Sequence, residues 1–225
     1  MSKSRLIVVG LPDSWNSSPS RGWPIVPVHV SGLAEGFSAA FRYYRAMSES
    51  ETPHNREAEI NLALSAFDCV IPDRLAVLAA APVSTGRRCM ELLEAHGVCS
   101  AEDLVKVIGP AEYDSKVLKP NLEEGHRFAN KIRCSGRQQV IFTGPLYHPS
   151  WRFADYMKVC LSVLRTRCHS VFFSNDWEYS QGAIMELVAA LESGLRVYTS
   201  DLSLMELGTA AGSLKNARAE VSRIR

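Results

Sequence analysis

Apolar positions along the chain come in two patterns: short continuous runs, and longer stretches in which they recur every three or four residues. That mixture predicts buried parallel strands alternating with amphipathic helices. Val171-Phe172-Phe173 has the β-branched and aromatic content of a buried strand, and from Ala183 to Glu192 the apolar Ala183, Ile184, Leu187, Val188 and Leu191 keep helical spacing. A strand therefore runs through a polar loop into a helix, with Ser180 as N-cap. Further strands are expected at Arg5 to Val9, Ile25 to Val30, Phe67 to Ile71, Gln138 to Thr143 and Leu195 to Tyr198. Helices are expected at Gly36 to Met47, Asn55 to Ala66, Leu75 to Ala81, Leu122 to Arg133, and from Trp151 behind a Ser150 cap. Ser100-Ala-Glu-Asp is a capping box opening a helix to Val107. Glu112 to Asn121 reads as a loop, Ser203 to Ala211 as a short helix, and Lys215 to Arg225 as a solvated basic helix.

Composition narrows the partners. Twenty-five basic and twenty-four acidic residues give a formal charge of +1, which provides no electrostatic footprint for an extended nucleic acid or a membrane surface. The six cysteines show no CxxC pair and no zinc spacing, so they read as reduced thiols, and no metal is expected. No run approaches the roughly 20 apolar residues of a membrane span, and the start is too short for a signal peptide, which points to the cytoplasm.

Candidate chemistry gathers in loops that follow strands, where parallel α/β sheets place their ligand sites. Ser180 caps a helix whose N-terminus would favour an anion, Gly182 removes a side chain there, and Glu186 lies about one turn inside. Such a carboxylate suits attack on a glycosidic carbon, although Ser-x-Gly with a Glu one turn in is also an ordinary helix start. Gly10 and Gly144 end two strands in Gly-x-Pro or Gly-Pro turns. Tyr147 and His148 follow Gly144, and Arg21 sits in the turn-rich segment Asp13 to Pro27. Ser84-Thr85-Gly86 opens a stretch that closes on Gly97 and loosely repeats the Ser180 region. Residues 1–136 are thus either a first strand plus an insertion or a degenerate repeat, ahead of 137–225, and the whole could be one continuous domain.

Trp177-Glu178-Tyr179-Ser180-Gln181-Gly182-Ala183, followed by Glu186, an Ala-rich helix, Gly194 and Leu195 to Tyr198, resembles the nucleoside 2-deoxyribosyltransferase superfamily. The closest likeness is to its 2′-deoxynucleoside 5′-phosphate N-hydrolase and phage-type branches. Trp151 to Leu164 looks like the family's penultimate helix, and the likeness runs from Gln139 to Ser200. It implies a Rossmann-like (flavodoxin-like) parallel sheet sandwiched by helices, here with an elaborated N-terminal half, no cofactor, and a homodimer with shared sites. It also implies Glu186 as nucleophile, Ser180 on a 5′-phosphate, Trp177 or Tyr147 beside the base, and Gly10 near the sugar phosphate. Ser180 stands where transferases have Asp, which favours hydrolysis. Ser162 and Ser170 stand where the family has Asp, so Asp155 and Asp176 become the candidate acids. The expected function is hydrolysis of the N-glycosidic bond of a (2′-deoxy)nucleoside 5′-monophosphate; the alternative is a catalytically impaired nucleotide-binding or regulatory module.

Overall fold

Leu75 to Ala81, an Ala-rich run with high helix propensity, is not helical. Ala76–Ala80 form strand β1, and all five residues are buried. Propensity is a weak prior, and enclosure between two neighbouring strands overrides it. The computed structural model describes residues 56–71, 74–136, 139–146 and 151–224. The expectations at Arg5 to Val9, Gly10, Arg21, Ile25 to Val30, Gly36 to Met47, Tyr147, His148 and Ser150 lie outside those residues.

Two other local expectations are corrected. Phe67 to Val70, expected in a strand, forms the end of helix α1 (Arg56–Val70). Ile60 and Phe67, seven residues apart on one face, are buried in the same cluster, and Pro72 follows the helix end. Glu112 to Asn121 is helical throughout. After α2 (Arg87–His96) and α3 (Ala101–Ile108) come α4 (Pro110–Tyr113), a π-helical turn (Asp114–Leu118) and α5 (Lys119–Cys134). The wide turn falls where Pro120 removes a backbone donor, so the chain stays helical by changing its hydrogen-bond period. Ser100 caps α3 as expected, accepting from the Asp103 amide at 3.1 Å.

The second half follows the predicted order as far as β4: β2 (Val140–Ile141), α6 (Phe153–Arg167), β3 (Cys168–Phe173), a 3-10 turn (Trp177–Tyr179), α7 (Gln181–Glu192) and β4 (Arg196–Tyr198); the two helices expected at Ser203 to Ala211 and Lys215 to Arg225 are instead one continuous helix, α8 (Leu207–Ile224). Helix α6 starts at Phe153, two residues later than expected, with Arg152 as its N-cap. The strands are parallel in the order β2-β1-β3-β4, a Rossmann-like arrangement.

Strand alternation sorts the core into two layers. Ala76, Leu78 and Ala80 of β1 join Ile141, Val171 and Phe173 beneath α1, α6 and α7. Val77 and Ala79 join Val140 and Phe172 beneath Phe128 and Ile132 of α5. Phe172 and Phe173 have no exposed surface, and each buried ring contributes about 1.5–3 kcal/mol. A satellite cluster, Cys89, Leu93, Leu104, Tyr113 and Val117, holds α2 to the α3–α5 segment. Among the described residues of helix α8, the buried ones are small, Ala210 and Ala217.

Candidate functional site

Strand order fixes where a ligand site would lie. The chain leaves β1 toward β2 by way of α5 on one face, and returns to β3 by way of α6 on the other. The loops after β1 and β3 therefore diverge, and open α/β sheets bind ligands in the crevice between two such loops. That crevice is present, lined by Pro82, Gly86, Arg87 and Arg88 on one side and Ser174 to Asp176 on the other. Gly86 has φ 95°, and a Cβ there would lie 2.7 Å from Pro82 Cβ, so only glycine lets the loop turn into α2 here.

The crevice walls are charged and hydrogen-bonded. Arg87 donates from Nε to Asp176 at 2.9 Å, from Nη1 to Glu220 of α8 at 3.3 Å, and from Nη2 to the Tyr179 hydroxyl at 2.8 Å. Tyr179 also donates to Glu220, and the Arg87 guanidinium lies 4.5 Å from its ring centre. Its hydrogen bond to Asp176 holds the Arg87 guanidinium above its usual range, while burial and the Glu220 hydrogen bond push the Tyr179 hydroxyl up to about 12. Arg88 reaches Glu124 at 2.8 Å and Asn121 Oδ1 at 2.9 Å. Asn121, 5% exposed, donates to the Val83 and Thr85 carbonyls at 2.9 and 2.8 Å and so pins the loop after β1.

Glu186 belongs to a different environment. It is 7% exposed, sits in the second turn of α7, and makes no hydrogen bond or ion pair among the described residues. Burial pushes its carboxyl up to about 8, so it is uncharged through most of the neutral range. Its neighbours include two buried thiols. Cys160, which hydrogen-bonds Thr143, and Cys168 are each pushed up to about 12, first by burial and then by the nearby Glu186 charge.

The remaining expected site residues are distributed as follows. Ser180 caps α7, its hydroxyl accepting from the Ala183 amide at 3.4 Å, and it is buried. Gly182 lies beside α6, where a Cβ would make an ordinary contact with Met157 Sδ at 3.4 Å. Trp177 is buried against Phe173, ring centres 5.3 Å apart. Gly144 lies against the tip of the Phe142 ring, where a Cβ would come within 2.2 Å of Cζ. Asp155 accepts from the Arg152 amide at 2.8 Å and so closes the first turn of α6, while Asp176 is paired with Arg87. The structure brings Asp176 into the crevice with Arg87, whereas Glu186 does not line it.

Arg87, Arg88 and Asn121 are the site residues that sequence reasoning missed. The signal was Ser84-Thr85-Gly86 opening a helix, which marks a strand-to-helix loop once Ala76–Ala80 is known to be a strand. The parallel sheet with helices on both faces defines a doubly wound α/β protein, and the crevice lies at its switch point. Residues 116–199, a little over a third of the chain, match the family model described as Domain of unknown function (DUF4406), which is related to the nucleoside 2-deoxyribosyltransferase-like fold. That match runs from the π-helical turn through β4 and contains Glu186. No curated protein and no solved structure matches. Among the described residues no helix is long and apolar enough to cross a membrane.

Proposed function

We propose that this chain cleaves the N-glycosidic bond of a (2′-deoxy)nucleoside 5′-monophosphate in the cytoplasm, as a homodimer, with Glu186 attacking the sugar. The observation that carries this reading is Glu186 itself. An enclosed carboxyl with no partner costs stability and gives no structural return, and such groups concentrate at active sites. In the reaction, a Glu186 oxygen bonds to C1′ while the C1′–N bond breaks. The bond's electron pair leaves on the base, which takes a proton from solvent. Water then hydrolyses the sugar–Glu186 ester.

The attacking form is the carboxylate, so kcat/KM should rise with pH through about 8, the value for the free protein. Chromatography of a deoxynucleoside monophosphate panel tests the reading. Base release that Glu186→Gln lowers by several orders of magnitude supports it, and base release that Glu186→Gln leaves unchanged sinks the assignment.

One observation favours a second reading, a module that binds a nucleotide without turnover. Asp155 is occupied in the α6 cap and Asp176 with Arg87, and Ser162 and Ser170 carry no carboxylate, so none of these four stands ready to protonate a departing base. Nucleotide binding by calorimetry with no base released would select this module.

A further inference from the structure

Helix α8 is long but weakly held by apolar contact. Its 18 residues include Ala210 and Ala217 as buried side chains and Leu214 as a partly buried one, and two alanines remove little apolar surface from water. Its first half, Leu207-Gly-Thr-Ala-Ala-Gly-Ser213, mixes two good helix formers with glycine, threonine and serine. Gly212 lies inside the helix and is exposed, and among the described residues nothing stands within 4 Å of where its Cβ would be. No close approach therefore requires glycine there, and it costs the helix stability without a return in packing. A helix of this length and composition is marginal alone in water, so α8 is helical because it is docked.

The contact that joins α8 to the crevice is polar. Glu220 accepts from Arg87 Nη1 at 3.3 Å and from the Tyr179 hydroxyl, and α8 packs against α2 and the 3-10 turn, which carry those two groups. Arg87 in turn holds Asp176 on the other side of the crevice. One guanidinium thus ties both walls of the crevice to α8. We propose that α8 is a strap that undocks while the sheet stays folded, and that Glu220 on Arg87 and Tyr179 is its latch. Latched, Arg87 Nη1 is committed to Glu220, an autoinhibitory contact against anything in the crevice that would use that donor. Undocking releases Nη1 and the Tyr179 hydroxyl, and takes away one wall of a neighbouring cavity of about 180 Å³ lined by Trp177, Met205, Thr209 and Ala210. By reciprocity, whatever draws Arg87 into the crevice also loosens α8. The strap depends neither on Glu186 nor on turnover.

Hydrogen exchange of the full chain, read peptide by peptide by mass spectrometry, tests the strap. Because undocked α8 loses its helix, its amides should exchange through a local opening, at least about a hundredfold faster than those of β1 and β3. Glu220→Ala should speed α8 exchange about fivefold and leave β1 and β3 unchanged. Alanine is the better helix former, so a faster rate reports the lost latch and not a weaker helix. Arg87→Met, which alters no residue of α8, should speed α8 exchange about threefold. Gly212→Ala should slow it about fivefold, and it tests the strap even where a latch variant does not fold. The proposal is overturned if α8 exchanges as slowly as β3, if a folded latch variant leaves α8 unchanged or speeds β3 equally, or if Gly212→Ala fails to slow α8.

Discussion

Arg87 and Glu186 serve the same sheet and live under opposite physics. Arg87 is about two-fifths exposed and holds three partners; Glu186 is enclosed and holds none. Near water, charges are screened and a well-drawn ion pair contributes little. Inside the protein a single carboxyl without partners is held uncharged and makes stability depend on pH. The number of contacts a group makes is therefore a poor guide to its energetic weight here. A paired surface cluster has a sufficient structural explanation, whereas an enclosed, unpaired acid calls for a functional one.

The largest expected effect comes from removing the ability of Glu186 to ionise. Its folded value is raised from 4.5 to about 8, so the folded protein keeps a proton that the unfolded chain releases. Stability should therefore fall as pH rises from about 4.5 to about 8 and then level off. At about 1.36 kcal/mol per pH unit the loss is at most roughly 5 kcal/mol. Glu186→Gln keeps the shape of the neutral acid and cannot ionise, so the stability of wild type relative to this variant should fall by that amount over the window. Burial lowers the His126 value, so that group acts in the opposite direction, which is why the difference and not the raw curve carries the test. The Cys160 and Cys168 thiols, raised from 9.0, act only above that pH. Denaturant titrations at three pH values decide it. Parallel curves for the two proteins would mean that Glu186 is not enclosed.

A smaller effect is expected in the crevice wall. Gly125 lies inside α5, where Gly→Ala ordinarily gains up to about 1 kcal/mol. Here the added Cβ would come within 2.2 Å of Phe142 Cζ, so the sign should reverse. Gly125→Ala is expected to cost about 2 kcal/mol by overpacking, and a Phe142→Leu background should return much of that loss. Thermal unfolding of the four proteins measures it. A gain in stability from the single change would show that Phe142 can move aside, and that the crevice wall is softer than its packing indicates.

Where local pattern and tertiary environment agreed, the fold was legible. Val171 to Phe173 and Ala183 to Glu192 announced β3 and α7, and Ser100 and Ser180 announced their helix starts, because caps and periodicity are short-range signals. β1 was hidden because its alanines prefer a helix until strands enclose them. The α4–α5 segment was hidden because proline normally ends a helix, and a π-helical turn is invisible to any 3.6-residue pattern. The site was legible on the β3 side only. Glu186 could be singled out from its distance to Ser180, but its enclosure depends on α6 and on Cys168, both distant in sequence. Arg87 and Asp176 lie 89 positions apart, and no local pattern couples them.

The smallest effect expected is that pair's own coupling. Asp176 has φ 59°, a left-handed conformation that asparagine tolerates, so Asp176→Asn removes the charge without adding backbone strain. Arg87→Met keeps the aliphatic stem and removes the guanidinium. With side chains 40% and 39% exposed, the double-mutant coupling should be about 0.5–1 kcal/mol despite the 2.9 Å contact. High salt should weaken it further, since exposed charges are screened within about 3 Å at 1 M. The Glu220 and Tyr179 contacts persist in the Asp176→Asn protein, so the cycle reads the Arg87–Asp176 pair and not the whole cluster. A salt-insensitive coupling above about 2 kcal/mol would place the pair in a dry environment, and the contrast between a wet, paired crevice and a closed, unpaired carboxyl would no longer hold.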